Sequence, residues 1–139
     1  FGWEESNFEY ERTYRKISNL DDIHENGIHD YMKFVKFGYG RSTDHASKDI
    51  RSSKMSREEG IQEVLKRDHV KSKDLYRWLN YVGMSENEFD LIADSFRDER
   101  VWFIKDGRWF KHNINGEIKD FGKVHLPTNM RKKYMREIK

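Results

Sequence analysis

Apolar residues between positions 21 and 98 recur every three or four residues, the spacing that puts side chains on one face of a helix. The segment at 28–37 shows this period after a weaker start at residue 21. In residues 73–82 the inward positions are Leu75, Trp78, Leu79 and Val82. The pattern predicts roughly four to six helices over residues 21–98.

Capping residues give the expected helix starts. Ser56 is followed three residues later by Glu59, and Ser85 by Glu88. Each pair is a capping box, in which the two side chains satisfy backbone amides at the start of a helix. Thr43 is the expected N-cap of a further short helix of about ten residues.

The pattern changes after residue 98. The strand-like segments VWFIK and RWFKH flank Asp106-Gly107, a dipeptide that favours a hairpin turn. A second turn candidate, Asn115-Gly116, follows. The sequence therefore predicts two or three antiparallel strands within residues 99–125.

Two further predictions concern the packing of the hairpin and the C-terminal residues. We expect Trp102 and Trp109 of the hairpin to pack on the helices, since large aromatic rings contribute most when buried. Pro127 and Thr128 open a predicted basic C-terminal helix capped by Thr128.

Composition supports a folded domain with a thin core. Charged residues make up 37% of the chain and apolar residues 35%, but aromatic residues reach 14% and supply large burial per residue. We predict a mainly α (α+β) fold: a single multi-helix domain, 1–139, with a small C-terminal antiparallel β-hairpin or meander. Its parts are an extended lead-in (1–20), helices (21–98), the hairpin region (99–125) and a C-terminal helix (126–139).

Charge and residue usage exclude several classes of protein. The 27 basic and 25 acidic residues give a net charge of +2, so bulk affinity for nucleic acid is not predicted. The absence of cysteine excludes disulfides and thiolate zinc sites. Apolar runs fall far short of a membrane span, so we expect a cytoplasmic protein. Because the first residue is Phe1 rather than Met, we interpret the chain as a fragment of a longer one.

The least generic stretch is residues 36–46, KFGYGRSTDHA, where two glycines, an arginine and a predicted helix start lie together. Backbone amides at that start, with Arg41 and Lys36 nearby, could hold a phosphate or another anion. A glycine-rich turn before a capped helix is nevertheless more often a plain connection. The GxxxxGK[ST] spacing of a phosphate-binding P-loop is absent.

Other charged residues have simpler interpretations. Asp44, His45 and Asp49 could form a metal or acid–base cluster, but no further ligands follow at metal spacing. His45 can instead pair with Asp49 four residues on, so no metal site is predicted. Arg12 and Arg15 are interpreted as solvated side chains with surface ion pairs.

Two segments carry a resemblance to a known family. They are NLDDIHENGIHDYMKFVKFGYGRSTDHASKDIRSSKMSREEGI and YVGMSENEFDLIADSFRD. They resemble the C-terminal part of the N-acetyl sugar amidotransferases, enzymes of lipopolysaccharide and flagellin-glycan biosynthesis in the PP-loop ATP pyrophosphatase superfamily. The resemblance covers residues 1–112 and is most specific in the KFGYGR-x-TDHAS-x-DIR block.

The resemblance implies a reaction. Such enzymes convert the N-acetyl group of a nucleotide sugar into an acetamidino group for O-antigen and other surface polysaccharides. ATP adenylates the amide oxygen, ammonia attacks the activated carbon, and AMP leaves. The implied cofactor is ATP, bound mainly by the family's N-terminal PP-loop domain with its SGGxDS motif, and Mg²⁺ is a further candidate. That motif is absent here, so the chain alone is expected to be inactive.

The resemblance also implies partners and site residues. The substrate would be a UDP-N-acetyl sugar, and ammonia would come from a glutaminase working with a cyclase-like subunit. The implied catalytic residues are Asp44 and His45. The implied substrate-binding residues are Lys36, Gly38, Gly40, Arg41, Thr43 and Arg51.

Two other functions stay open at this point. The chain could be a non-catalytic helical module that docks partner subunits through its aromatic N-terminal segment or the Trp hairpin. A pull-down with the chain alone would separate the two roles, because a docking module should retain those subunits and a substrate-binding segment should not. An RNA-binding domain is the third alternative, which the near-zero net charge disfavours and the absence of salt-dependent RNA binding would exclude.

Overall fold

A computed structural model describes residues 2, 4, 7, 9–16, 26–112 and 120–135. In this part of the chain there are five α-helices and a three-stranded antiparallel sheet of order β1-β2-β3. The elements are α1 (Asn26–Phe37), α2 (Arg41–Arg51), α3 (Arg57–Arg67), α4 (Lys73–Val82), α5 (Glu86–Ser95), β1 (Trp102–Lys105), β2 (Arg108–Lys111) and β3 (Asp120–Lys123). The predicted mainly α (α+β) fold is confirmed.

Both predicted capping boxes are formed. The Ser56 hydroxyl accepts a hydrogen bond from the Glu59 amide at 3.1 Å, and the Glu59 carboxylate accepts one from the Ser56 amide at 2.8 Å. Ser85 and Glu88 repeat the arrangement at the start of α5. The fourth helix has the predicted bounds and is followed by Gly83 at φ +70°, a left-handed conformation that favours glycine.

The start of α2 differs from the prediction. The helix begins at Arg41, and Gly40 is its N-cap residue. Because glycine has no side chain, the N-cap residue itself makes no side-chain capping hydrogen bond. Thr43 lies within the first turn, so its expected role as the N-cap is wrong. A carboxylate from elsewhere in the chain takes over the capping role, as described below.

The chain divides into two compact units. The first comprises Phe1–Phe34 and Tyr39–Trp78, and the second comprises Val35–Gly38 and Leu79–Lys139. Each is described separately, and the assignment of residues 1–139 to one domain stays a prediction.

In the first unit α2 packs closely against α3. Gly60 on α3 permits this, because a Cβ added there would lie 2.8 Å from Ile50 Cδ1 and 3.4 Å from the Cβ of Ala46. Ala46 is buried, as its helical position predicts. Residues 9–16 form neither helix nor strand in this unit.

In the second unit the first hairpin turn is as predicted. Asp106 and Gly107 have φ values of 51° and 71°, the pair of positive values that a type I′ turn requires. The register pairs Lys105 with Arg108 across the turn. The second turn candidate, Asn115-Gly116, lies outside the described residues.

The two tryptophans of the hairpin are the largest fully buried side chains of the second unit. The indole N–H of Trp102 donates to the carbonyl of Val35 at 2.7 Å. The rings of Trp102 and Trp109 meet edge to face, 6.4 Å apart, and the guanidinium of Arg97 lies over both. Trp102 thus contacts α1, as predicted, whereas the ring contacts of Trp109 are with Trp102, Tyr134 and Arg97. Both side chains are buried.

The predicted C-terminal helix is wrong over the residues that are described. Two 3-10 turns, Thr128–Met130 and Lys132–Tyr134, stand where a continuous α-helix was expected, and Met135 returns to an extended conformation. Thr128 makes no capping bond there. The Tyr134 side chain explains this path, because it is buried and its hydroxyl donates to the Arg97 carbonyl at 2.7 Å.

None of the helices in the described ranges has the length and apolarity needed to cross a membrane.

Candidate functional site

The N-terminus of α2 is bonded to an internal carboxylate. Asp68, which follows α3, accepts hydrogen bonds from the backbone N–H of Gly40 at 2.8 Å and of Ser42 at 3.0 Å. The hydroxyl of Thr43 donates to the same carboxylate at 2.5 Å. Asp68 is 2% exposed. The amides expected to face a bound anion therefore already have an anionic partner within the protein.

Gly40 is required by space at this junction. A Cβ added there would lie 2.8 Å from Asp68 Oδ1 and 3.2 Å from Arg12 Nη2. Its φ of −125° is one that any residue can adopt, so close packing rather than backbone strain excludes a side chain.

Arg12 lies in the interior beside this junction. Its side chain is 4% exposed, its guanidinium lies 5.8 Å from the ring of Tyr31, and Nη1 donates to the Val70 carbonyl. Burial lowers the pKa of Arg12, and the nearby carboxylates of Asp30 and Asp68 oppose that shift. The interpretation of Arg12 as a solvated side chain is wrong. No periodic or capping signal marks position 12, because its partners lie far along the chain.

Arg41 is held at the first position of α2. Its Nε donates to Asp30 Oδ2 at 2.6 Å, and Asp30 is 6% exposed. Among the described residues the terminal nitrogens of Arg41 make no hydrogen bond. Arg41 therefore keeps the N–H groups of both terminal nitrogens, from which a ligand oxygen can accept.

Asp44 is half-buried in the first turn of α2 and forms an ion pair with Lys33 of α1. The Lys33 ammonium also lies 4.7 Å from the centroid of the Tyr39 ring. The negative charge of Asp44 is thus compensated within the first unit.

His45 is buried on the next turn of α2. Its Nδ1 lies 2.5 Å from the hydroxyl of Thr13, and the ring of Tyr14 meets it edge-on at 6.4 Å. Burial lowers the pKa of His45. The nearby cations Arg15, Arg41 and Lys48 lower it further, and Asp44 opposes them. His45 is therefore neutral at pH 7.

The expected pairing of His45 with Asp49 is not found, because Asp49 binds other partners. The Tyr14 hydroxyl donates to Asp49 Oδ2 and Arg15 Nη2 donates to Asp49 Oδ1, each at 2.5 Å. These bonds lower the pKa of Asp49, the one from Arg15 most. Burial, together with the bond to Asp49, raises the pKa of Tyr14 to about 12.

Residues 11–15 act together as a strap across the first unit. Besides the bonds of Arg12, Thr13, Tyr14 and Arg15, the carboxylate of Glu11 accepts from the amide of Lys73 at the start of α4, at 2.7 Å. Every residue of the strap therefore bonds to a distant part of the unit. Sequence reasoning assigned this segment to an extended lead-in and missed its part in the site.

The remaining predicted residues lie elsewhere. In the second unit, the Lys36 ammonium lies 5.1 Å from the Phe96 ring centroid, and the Gly38 carbonyl accepts from Lys111 Nζ at 2.7 Å. Arg51 is exposed at the end of α2, with Nε bonded to the Ser47 carbonyl. Ten residues at about 1.5 Å each put it roughly 15 Å along the helix from Arg41. The first unit thus brings Arg41, Asp44 and His45 together, but not Arg51.

Within the described ranges there is no group of three or more His, Asp or Glu side chains arranged to hold a metal ion.

Comparison with protein families gives one match. A family described as LPS biosynthesis protein WbpG-like, C-terminal domain, matches residues 6–114. That range includes the strap, all five helices and the first hairpin. A search of curated proteins finds no match.

Proposed function

Because the chain belongs to the LPS biosynthesis protein WbpG-like, C-terminal domain family, we propose that it is the C-terminal part of an ATP-dependent amidotransferase. The reaction converts the N-acetyl group of a nucleotide sugar into an acetamidino group for O-antigen or another surface polysaccharide. One observation supports this most. The KFGYGR-x-TDHAS-x-DIR block lies within the family match, and its residues 41–51 form α2, which carries Arg41 and His45.

In this proposal Arg41 binds an anionic part of the substrate. Its Nε is fixed by Asp30, which leaves the terminal nitrogens oriented for a phosphate or carboxylate oxygen. Gly40 and Thr43 contribute indirectly, since their bonds to Asp68 shape the start of α2. Lys36, Gly38 and Arg51 remain proposed substrate-binding residues on the strength of the family resemblance alone.

The proposed role of His45 and Asp44 is to orient the reacting group. A neutral imidazole hydrogen-bonds to an amide oxygen or to ammonia without forming an ion pair. Asp44, compensated by Lys33, can accept a hydrogen bond from a sugar hydroxyl or from ammonia.

The residues that the structure describes do not fit a binding site for ATP or Mg²⁺. The SGGxDS motif does not occur in the sequence. The backbone amides of Gly40 and Ser42 at the start of α2 are taken by Asp68, and the described residues contain no acidic cluster for a cation. Ammonia supply by glutaminase and cyclase-like subunits is part of the same proposal.

Product formation tests the proposed reaction. Full-length enzyme would be incubated with ATP, an ammonium salt and a UDP-N-acetyl sugar, and the sugar would be analysed by mass spectrometry. We expect replacement of the acetamido oxygen by nitrogen, with one AMP formed per product. The proposed reaction would be contradicted if the enzyme bound the nucleotide sugar but left it unchanged and formed no AMP.

A further inference from the structure

The hydrogen bonds of Thr13 determine which ring nitrogen of His45 carries the proton. The backbone N–H of Arg15 donates to Thr13 Oγ1 at 3.2 Å. The only other partner of this hydroxyl among the described residues is His45 Nδ1, at 2.5 Å. Thr13 is 4% exposed, so a hydroxyl proton directed elsewhere would be buried without an acceptor, at a cost of about 1–3 kcal/mol.

It follows that the Thr13 hydroxyl donates to Nδ1. The neutral imidazole then carries its proton on Nε2. In the described part of the chain Nε2 meets no hydrogen-bonding partner, and it is not one of the buried polar atoms left without one, so it reaches the surface although His45 is only 8% exposed. His45 is therefore held as a hydrogen-bond donor and not as a general base.

The same face of α2 carries two cations. Arg41, His45 and Lys48 are spaced by four and three residues in an α-helix, which puts them on one stripe. Lys48 is exposed, and its ammonium group makes no hydrogen bond among the described residues, although its carbonyl accepts from Ser52. The stripe thus combines a neutral N–H donor with a guanidinium and an ammonium group.

We propose that the stripe Arg41–His45–Lys48 binds a phosphate-type oxyanion, and that Thr13 is the positioning residue that fixes His45 as its Nε2–H donor. This proposal rests on the proposed function in one respect, which is that the oxyanion belongs to the nucleotide-sugar substrate. It adds Lys48 as a binding residue and Thr13 as a residue that acts through His45.

The charges that face His45 favour an anion. Arg15 of the strap and Arg41 and Lys48 of α2 lower the pKa of His45, and Asp44 raises it. Arg15 is paired with Asp49 and Arg41 with Asp30, so the Lys48 ammonium is the cation of this set without an ion-pair partner among the described residues. Asp44 is paired with Lys33 of α1. The edge of the Tyr14 ring closes one side of the imidazole.

The tautomer can be observed directly in ¹⁵N-histidine NMR spectra of the full chain. We expect the His45 proton on Nε2 in the unmodified protein and in Thr13→Ser, which keeps the hydroxyl. Thr13→Val has nearly the same shape but no donor, so it should mix the two tautomers. A purely structural role for Thr13 would leave the tautomer unchanged in Thr13→Val. A wild-type proton on Nδ1 would overturn the assignment.

Titration with inorganic pyrophosphate tests the ligand. The Nε2 resonance of His45 should shift on binding, and Lys48→Gln should weaken the Kd roughly two- to fivefold, as expected for one exposed cation. Lys66→Gln, an exposed lysine on α3, is the matched control and should leave the Kd unchanged. A His45 ring that does not respond to pyrophosphate would overturn the site. Neither measurement needs enzyme turnover, so a negative result would refute the oxyanion site without bearing on the proposed reaction.

Discussion

At the residue scale, the side chains that define the site owe their state to partners remote in sequence. His45 is predictable as a member of α2, but its neutral state depends on burial and on Thr13, thirty-two positions earlier. Arg12 offers no sequence signal for its burial beneath Tyr31. Sequence patterns record local geometry, whereas these two environments come from tertiary packing.

The lowered pKa of His45 predicts a pH-dependent stability. Between its folded-state pKa and the ordinary value of 6.5, the unfolded chain binds more protons than the folded one. The free energy of unfolding should therefore decrease as pH falls below 6.5. His45→Gln should remove this part of the slope, measured by urea denaturation between about pH 5 and 8.

Lys66→Gln is the control for that series, because it introduces the same amide side chain at an exposed position of α3. It should retain the wild-type dependence on pH. If His45→Gln also retained the wild-type dependence of stability on pH, burial of a neutral His45 would not be the cause of that dependence.

At the element scale, local signals predict helices well where they supply their own caps. The two capping boxes give the starts of α3 and α5, and Gly83 gives the end of α4. The start of α2 escapes prediction because its cap is Asp68, twenty-eight residues from Gly40. The C-terminal 3-10 turns escape it for a similar reason, since Tyr134 is anchored on Arg97 rather than along a helix.

Asp68 should accordingly be among the most sensitive positions of the first unit. Asp68→Ala removes the acceptor for two amides and a hydroxyl and leaves Asp30 as the remaining carboxylate near the Arg12 guanidinium. We expect a loss of about 3 kcal/mol or more in the free energy of unfolding. Asp68→Asn keeps one acceptor oxygen and should lose less.

Asp106→Asn is the matched control for these variants. Asp106 is exposed in the type I′ turn, where asparagine is equally suited, so the change should stay within about 0.5 kcal/mol. Equal stabilities of Asp68→Ala and Asp106→Asn in chemical denaturation would refute the capping role of Asp68.

At the scale of the whole molecule, the family match and the packing end at different places. The match stops at residue 114, yet Val124, Leu126 and Tyr134 are buried in the second unit. Tyr134 meets Trp109 edge to face at 4.9 Å. Residues 120–135 are therefore part of the folded second unit. The sequence predicted the hairpin of this unit correctly, but it predicted a C-terminal helix where the chain forms two 3-10 turns.

The central claim is that the α2 face of the first unit acts on the substrate of the proposed amidotransferase. The most direct measurement compares kcat/KM of full-length His45→Ala with that of Lys66→Ala, after circular dichroism has verified the fold of both. Loss of a hydrogen bond to a charged or reacting group predicts a decrease of roughly 10- to 100-fold for His45→Ala and none for Lys66→Ala. Unchanged kcat/KM in His45→Ala, and also in Arg41→Ala, would contradict the account and leave α2 as part of a scaffold.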